Sequence, residues 1–333
     1  MREEAIIKRR FTEDELIAQL FAPLASEEGL GLRDDAALVP LRSGDLVVTT
    51  DALVCGVHFF ADDPPALIAK KALRVNLSDL AAKGAEPLGF LLTLALPTDW
   101  TNDWLRSFAA GLAEDARDFA CPLYGGDTTA TPGPSTLSIT ALGRVPPGRF
   151  VARSGARPGD AIYVSGTIGD AALGLFVRRG EAFAGRLSAD AREHLLGRYL
   201  LPRPRLELTR SLRDFASAAM DVSDGLAGDL AKLLRASGVS ARIELAHAPF
   251  SSAVRQAVAA DTALADIALT GGDDYEILCC ARPEIAPRLE QAAREAGVQL
   301  TKIGEATPGD APPAFLASDG KQKYFNRLSF SHF

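Results

Sequence analysis

Cysteine is scarce in this chain of 333 residues: Cys55, Cys121, Cys279 and Cys280 are all it has. None forms a C-x-x-C pair, which argues against a structural zinc site. Cys279 and Cys280 sit side by side in an apolar run, where buried, reduced thiols are expected. Histidine is equally scarce, with four residues, and no nucleophile–base pair stands out. No apolar run reaches the roughly 20 residues of a membrane span. The longest, 88–97, is the length of a buried strand. The start, Met1-Arg2-Glu3-Glu4-Ala5, lacks the apolar core of a secretory leader, so a cytoplasmic protein with no membrane partner is expected. Positive charge is also short: 36 Lys and Arg against 43 Asp and Glu leave a net −7. That argues against a nucleic-acid surface built on bulk positive charge. It leaves phosphate ligands open, because metal ions can carry positive charge locally. The common nucleotide motifs are missing as well. The nearest approach to a P-loop, 143–150, has Arg149-Phe150 where Lys-Ser/Thr is required. Gly166-Thr167-Ile168-Gly169 lacks the third spacing of a dinucleotide fingerprint, and protein-kinase motifs are absent.

What is present is an ordinary globular composition, 47% hydrophobic and 24% charged, in a length that suggests two domains. Pro146-Pro147-Gly148 and Arg153-Ser154-Gly155-Ala156-Arg157-Pro158-Gly159 lie close together and mark a boundary. Domains of 1–148 and 149–333 follow. Thr12 to Glu15 reads as a capping box opening a helix that ends at Gly29. Strands are expected over 46–50, 88–96, 136–143, 161–165, 241–245 and 275–280, and two short ones near the C-terminus. Helices are expected over 65–83, 101–119, 207–215, 251–260 and 284–296, with others starting at Asp170 and at 221–225, the latter ending near Gly238. Helices and strands mix in both halves, so the fold class is α+β, as two α/β-type domains.

The informative residues are acids at element ends in small or glycine-marked settings. They are Asp34 after Gly31-Leu32-Arg33, Asp51 after Thr49-Thr50, Asp79 after Asn76-Leu77-Ser78, Asp127 after Gly125-Gly126, and Asp221 and Asp224 in Asp221-Val222-Ser223-Asp224-Gly225. Each has a bland reading: a strand-end polar cluster for Asp51, a turn for Asp127, helix N-caps for Asp221 and Asp224. Yet one cap needs no second acid, and Asp79 lies near a helix C-terminus, where the dipole disfavours an anion. Converging carboxylates suit Mg²⁺, a hard cation with oxygen ligands. Several such ions imply a polyphosphate, and so ATP chemistry without a P-loop. His58, in Gly56-Val57-His58-Phe59, can be a satisfied edge residue or a ligand contact. Arg153 can be an exposed arginine or a fork for phosphate.

These stretches, with Asn76-Leu77-Ser78-Asp79-Leu80-Ala81-Ala82, Thr270-Gly271-Gly272-Asp273-Asp274-Tyr275-Glu276 and Phe330-Ser331-His332-Phe333, resemble the thiamine-monophosphate kinase family. That family shares a superfamily with aminoimidazole ribonucleotide synthetase and selenophosphate synthetase. The likeness runs along nearly the whole chain. It implies an N-terminal domain with a mixed sheet that pairs across a homodimer into a β-barrel, and a C-terminal α/β domain closing an active-site cleft. It implies transfer of the γ-phosphoryl of ATP to thiamine monophosphate, the last step of thiamine diphosphate synthesis. Asp34, Thr49, Thr50, Asp51, Asp79, Asp127, Asp221 and Asp224 would hold Mg²⁺. Gly126, Asp127, Arg153 and Ser223 would contact ATP, and His58, Asp273 and Phe330 the thiamine phosphate. The chain departs from the family pattern at Arg33, Lys83, Asp273 and Phe330, where glycine, an apolar residue, Glu and Tyr are usual.

Two other readings fit less of the chain. A selenophosphate synthetase would need a reactive Cys or selenocysteine near the N-terminus, and the first cysteine is Cys55. A non-catalytic binder of nucleotide or thiamine phosphate would have no reason to keep every acid of the metal set.

Overall fold

The computed structural model describes residues 11, 13–27 and 43–330. The capping box and the helix end at Gly29 fall partly outside that range, as do Arg33, Asp34, His332 and Phe333. The expected first helix is shorter and less regular than its pattern. One α-turn, α1 (Glu13–Leu16), passes into a π-type turn (Ile17–Phe21) and a 3₁₀ turn (Ala22–Leu24). Pro23 is the reason, since it lacks an N–H and its ring crowds the preceding turn.

The chain divides into two compact units. The first comprises Met1–Arg42, Thr50–Leu73 and Pro87–Leu142, the second Ser43–Thr49, Arg74–Glu86 and Gly143–Phe333. A four-stranded sheet runs in the order β1 (Asp45–Val54), β4 (Thr136–Val145), β2 (Glu86–Leu96), β3 (Leu123–Ala130). The turn that is the bland reading of Asp127 after Gly125-Gly126 is not formed, and the segment is strand β3 instead. It pairs parallel to β2 with Leu92 opposite Gly126. The glycine is there for the close approach: a Cβ at Gly126 would lie 1.9 Å from the Leu92 carbonyl oxygen.

Helix α3 (Asn102–Asp118) follows its pattern. Thr101 caps it by accepting from the Trp104 amide, and Leu105, Phe108 and Leu112 are buried on one face. Helix α2 (Pro65–Ala82) opens on a proline, whose missing N–H costs nothing at a helix start. It stops where Gly84 turns left-handed at φ 68°. The Ala85 and Gly84 amides donate to the Leu80 and Ala81 carbonyls at 2.8 and 3.0 Å, the double bond of a Schellman end. Asp79 is thereby held in the last turn of α2.

The second unit is built on a mixed seven-stranded sheet. Its order is β11 (Gln322–Lys323), β10 (Ala314–Leu316), β7 (Ser240–Glu244), β9 (Leu300–Thr307), β5 (Ala161–Ser165), β8 (Glu276–Ala281), β6 (Ala218–Val222). β10 and β7 are parallel and the other neighbouring strands of this sheet antiparallel. Strands β5, β6 and β8 are buried at every position; β5 and β8 are central strands covered on both faces, and β6 is buried although it ends the sheet. One face packs α7 (Leu226–Ser237) through Leu230, Leu233 and Leu234. The other packs α6 (Thr209–Phe215) and α10 (Ala286–Glu295) through Leu212, Leu289 and Ala293. Helices α4 (Asp170–Arg178), α5 (Ala189–Leu200), α8 (Ser252–Ala260) and α9 (Leu264–Thr270) share a third cluster around Leu173, Leu195 and Val254. The mixed α+β character expected of the chain is therefore present. Among the described residues no helix is long and apolar enough to cross a membrane.

Candidate functional site

Within the second unit, two of the predicted acids sit together and a third lies close by. Asp221 is not at a helix start as its spacing suggested. It is the fourth residue of β6, opposite Ile277 of β8, and α7 begins five residues later at Leu226. The strand buries it to 7% exposure. Ser78 Oγ, fully buried on α2, donates to Asp221 Oδ2 at 2.8 Å. The next residue, Asp79, accepts from Thr49 Oγ1 at 2.5 Å. Burial pushes both carboxyl groups above the usual carboxylate range, Asp221 well above it, and the Asp79 charge raises Asp221 further. The Thr49 hydroxyl, Lys83 and Arg153 pull Asp79 back toward the ionised form.

Lys83 is the internal cation of this cluster. Its amine donates to the Ala219 carbonyl at 2.8 Å. Burial brings its pKa down to about 8, against the opposing pull of Asp221 and Asp79. One half-buried amine near a buried acid and a half-buried one leaves negative charge poorly compensated. That is the setting in which a bound cation stabilises a fold. Among the described residues no group of three His, Cys, Asp or Glu is gathered to hold a metal. The pair nevertheless suits Mg²⁺, which commonly takes one or two carboxylates and fills its other positions with water and phosphate oxygens.

A second element lies beside this pair, where two loops are laced backbone to backbone. The Asp273 amide donates to the Ser223 carbonyl at 2.9 Å, and the Tyr275 amide to that of Val222 at 2.8 Å. Asp273 and Tyr275 adopt φ of 74° and 51°, left-handed conformations that cost non-glycine residues about 1–2 kcal/mol each. Gly272 permits the crossing, since a Cβ there would meet the Ser223 carbonyl at 2.3 Å. The two adjacent acids have different fates. Asp274 is fully buried and accepts from the Gly169 and Ala171 amides at 2.7 and 3.1 Å, holding the start of α4. Asp273 stays partly exposed beside Ser223.

Asp224 also accepts an ion pair. Lys232 Nζ lies 2.5 Å from Asp224 and 2.8 Å from buried Asp229. Asp229 in turn accepts from the Asp224 and Gly225 amides. The chain end reaches this loop too. The Phe330 amide donates to the Asp224 carbonyl at 3.0 Å, and the Phe330 ring is 51% exposed. Arg153 is exposed in the segment before β5.

The first unit holds the remaining predicted residues. Thr50 Oγ1 donates to the Ile139 carbonyl at 3.1 Å and faces Thr140 at 3.0 Å. The Asp51 carbonyl accepts from Ser138 at 3.1 Å. His58 Nδ1 accepts from the Val54 amide at 3.0 Å. With Nδ1 accepting, the neutral ring carries its proton on Nε2. Gly126 and Asp127 are exposed on β3. Asp34 lies outside the described residues.

Sequence reasoning missed Ser78 and Lys232. Ser78 directly precedes a predicted ligand, and Lys232 stands eight residues after Asp224, about two helical turns on. Both spacings were there to be read, but each is too common to mark a partner by itself.

Both halves of the chain match known protein domains. The model of the AIR synthase related protein N-terminal domain matches residues 33–145, and that of the C-terminal domain residues 157–314. Thiamine-monophosphate kinase of Caulobacter vibrioides is 42% identical over 331 residues, covering 96% of this chain and 91% of the relative. That of Escherichia coli K12 is 42% identical over 329 residues, covering 96% and 98%. Among solved structures, thiamine-monophosphate kinase from Stenotrophomonas maltophilia superposes with a TM-score of 0.79 at 40% identity, covering 88% and 91%. AaThiL complexed with AMPPCP and TMP superposes with a TM-score of 0.75 at 30% identity, covering 98% and 100%. Matched along nearly its whole length by these kinases and in both halves by the two domain models, the chain belongs to the thiamine-monophosphate kinase family of the AIR synthase related proteins.

Proposed function

We propose that this chain transfers the γ-phosphoryl group of ATP directly to thiamine monophosphate, giving thiamine diphosphate and ADP. The observation that carries the reading is the pairing of buried Asp221 with half-buried Asp79, each held by its own hydroxyl donor and with the Lys83 amine close by. Such a pair is costly to keep ionised, and a cationic ligand offsets that cost. Magnesium ions, when bound, supply positive charge against the repulsion between donor and acceptor phosphates. Asp79 and Asp221 would hold them, with Asp34, Thr49, Thr50, Asp51, Asp127 and Asp224.

The remaining roles belong to the chain's own groups. Arg153, exposed and unburdened by a helix or strand, offers a planar fork to the ATP phosphates. Gly126, exposed on β3, offers its backbone to phosphate, and Ser223 offers a hydroxyl beside Asp224. His58 keeps a proton on Nε2 and can donate it as a hydrogen bond to the acceptor phosphate. Asp273 and Phe330 both hang on the Ser223–Asp224 loop by backbone bonds, which suits them to the organic part of the acceptor. The acceptor's second pKa is about 6, so it is largely ionised at neutral pH and requires no general base. Positioning and charge compensation do the rest.

The same reading assigns residues 1–148 to a domain that binds ATP and magnesium and forms a homodimer by closing a β-barrel. Residues 149–333 form the α/β partner domain. A cytoplasmic location accords with four free thiols, three of them buried. The experiment is direct. Purified protein with ATP, Mg²⁺ and thiamine monophosphate should form thiamine diphosphate and ADP in equal amounts, and Asp79→Asn should form neither at a measurable rate. ADP release that does not depend on thiamine monophosphate would defeat the proposal.

A further inference from the structure

The stretch Arg198-Tyr199-Leu200-Leu201-Pro202-Arg203-Pro204-Arg205 carries three guanidinium groups in eight residues and has no part in the reaction assigned above. It leaves α5 at Leu200 and passes two buried prolines before the chain turns into α6. Its arginines collect around one carboxylate. Glu276, fully buried at the start of β8, accepts from Arg198 Nη2 at 3.0 Å and from Arg205 Nε at 2.6 Å. It also accepts from Arg205 Nη2 and, at 2.6 Å, from Ser165 Oγ. Gly166 makes the room, because a Cβ there would lie 2.2 Å from Glu276 Oε1. Arg74 of α2 adds a fourth guanidinium, donating through Nη1 to the Pro202 carbonyl at 3.0 Å.

Positive charge is in excess here. Arg198, Arg205 and Arg74 all act on Arg203 as like charges, and Glu276 is the one acid that opposes them there. Glu207 acts on Arg205 from an exposed position. The Asp274 carboxylate is committed to the Gly169 and Ala171 amides. Two further details point to an anionic partner. Arg198 is only 4% exposed, and its Nη1 has no hydrogen-bond partner. A buried guanidinium nitrogen left unmatched is costly and uncommon. Arg203 is exposed, and no ion pair is seen for it among the described residues.

We infer that Arg198, Arg203, Arg205 and Arg74 form a binding site for a phosphate-class oxyanion, either inorganic phosphate or the phosphoryl group of a larger ligand. Planar guanidinium forks match tetrahedral oxyanions in bidentate fashion, and Glu276 holds two of the forks in place rather than cancelling all four. The site adjoins the paired acids: Glu276 follows Tyr275, whose carbonyl accepts from Ser78 Oγ at 3.5 Å.

The test needs no turnover, so it stands or falls apart from the kinase reading. Binding of inorganic phosphate to the full chain is measured by calorimetry and thermal shift at constant ionic strength. Wild type is compared with Arg203→Gln and with Arg210→Gln, which removes the same charge from an 86% exposed side chain elsewhere. Arg203 is chosen because it is exposed, so the variant folds where Arg198→Gln could fail. Loss of its fork should weaken phosphate binding about tenfold or more, which is about 1.4 kcal/mol per factor of ten, with Arg203→Lys intermediate and Arg210→Gln unchanged. The same titrations with thiamine monophosphate against thiamine, and ADP against adenosine, distinguish the source. A matching loss for one phosphorylated compound assigns the site to its phosphoryl group. A loss confined to inorganic phosphate assigns a free-anion site. Equal affinities of wild type and Arg203→Gln for all three phosphate ligands, or the same loss in Arg210→Gln, would overturn the inference.

Discussion

Replacing Asp221 by Asn separates a ligand-binding acid from a structural one, because the two roles predict opposite changes in stability. The substitution keeps size and shape, and the amide oxygen can still accept from Ser78 Oγ, now at 2.8 Å. What disappears is a negative charge in a buried strand near Asp79. The folded state holds the Asp221 carboxyl above its usual range, mainly through burial and then through Asp79. A carboxyl that binds its proton more tightly when folded makes stability fall as pH rises from about 4 through the raised value. The variant lacks that fall. Without metal, Asp221→Asn should therefore be at least as stable as wild type, and its advantage should grow from pH 4 toward neutrality. Relief on the order of 1 kcal/mol moves the melting temperature by about 2–4 °C in a domain of this size. Activity should go the other way. Losing a charge that acts on the transferring phosphoryl costs about 3–4 kcal/mol, or roughly 10²–10³ in kcat. Thermal melts in a chelator from pH 4 to 8, with steady-state kinetics at saturating Mg²⁺, test both halves. A variant that melts lower at neutral pH with kcat intact would show that Asp221 supports the fold and not the reaction.

Three further outcomes are expected. Phe330→Ala should raise the KM for thiamine monophosphate roughly 3- to 30-fold, the range that ~0.6–2 kcal/mol of cation–aromatic contact corresponds to; the KM for ATP should barely move, and equal loss for both substrates, or a lower melting temperature with unchanged KM values, would mark the ring as a tail anchor. Incubation with γ-labelled ATP and no acceptor should leave the protein unlabelled, since no nucleophile–base pair is assigned; stoichiometric, chemically competent labelling of any side chain refutes direct transfer. Lys83 has a folded pKa near 8, below its unfolded value, so wild type should gain stability between about pH 8 and 10.5, by up to about 3 kcal/mol; Lys83→Met should flatten that part of the stability–pH curve, and an unchanged slope would place the charge of Lys83 outside the buried cluster.

Local patterns determined much of this protein before any fold was in view. Thr101 with Trp104, Leu105, Phe108 and Leu112 is enough to define α3, because a cap and a 3.6-residue stripe act within one helix. The apolar strand at 161–165 is equally local. So is the company each acid keeps, which made Asp79, Asp221 and Asp224 candidates at all. Only the tertiary structure decided which of them meet. Ser78 and Asp221 are 143 residues apart in the chain, and Thr49 and Asp79 are 30 apart. No periodicity within a window reports such pairings. Strand β3 escaped the sequence for a related reason. Gly126 has poor strand propensity, yet its missing Cβ is what lets β3 lie against the Leu92 backbone. The arginines around Glu276 looked like separate surface charges in the sequence. They became one cluster because β8 buries the carboxylate and the Pro202–Pro204 segment brings guanidiniums to it, with Arg74 arriving from a helix far earlier in the chain. Propensity acts over neighbouring residues, whereas charge in a low-dielectric interior is settled by whatever side chains packing brings within a few ångströms.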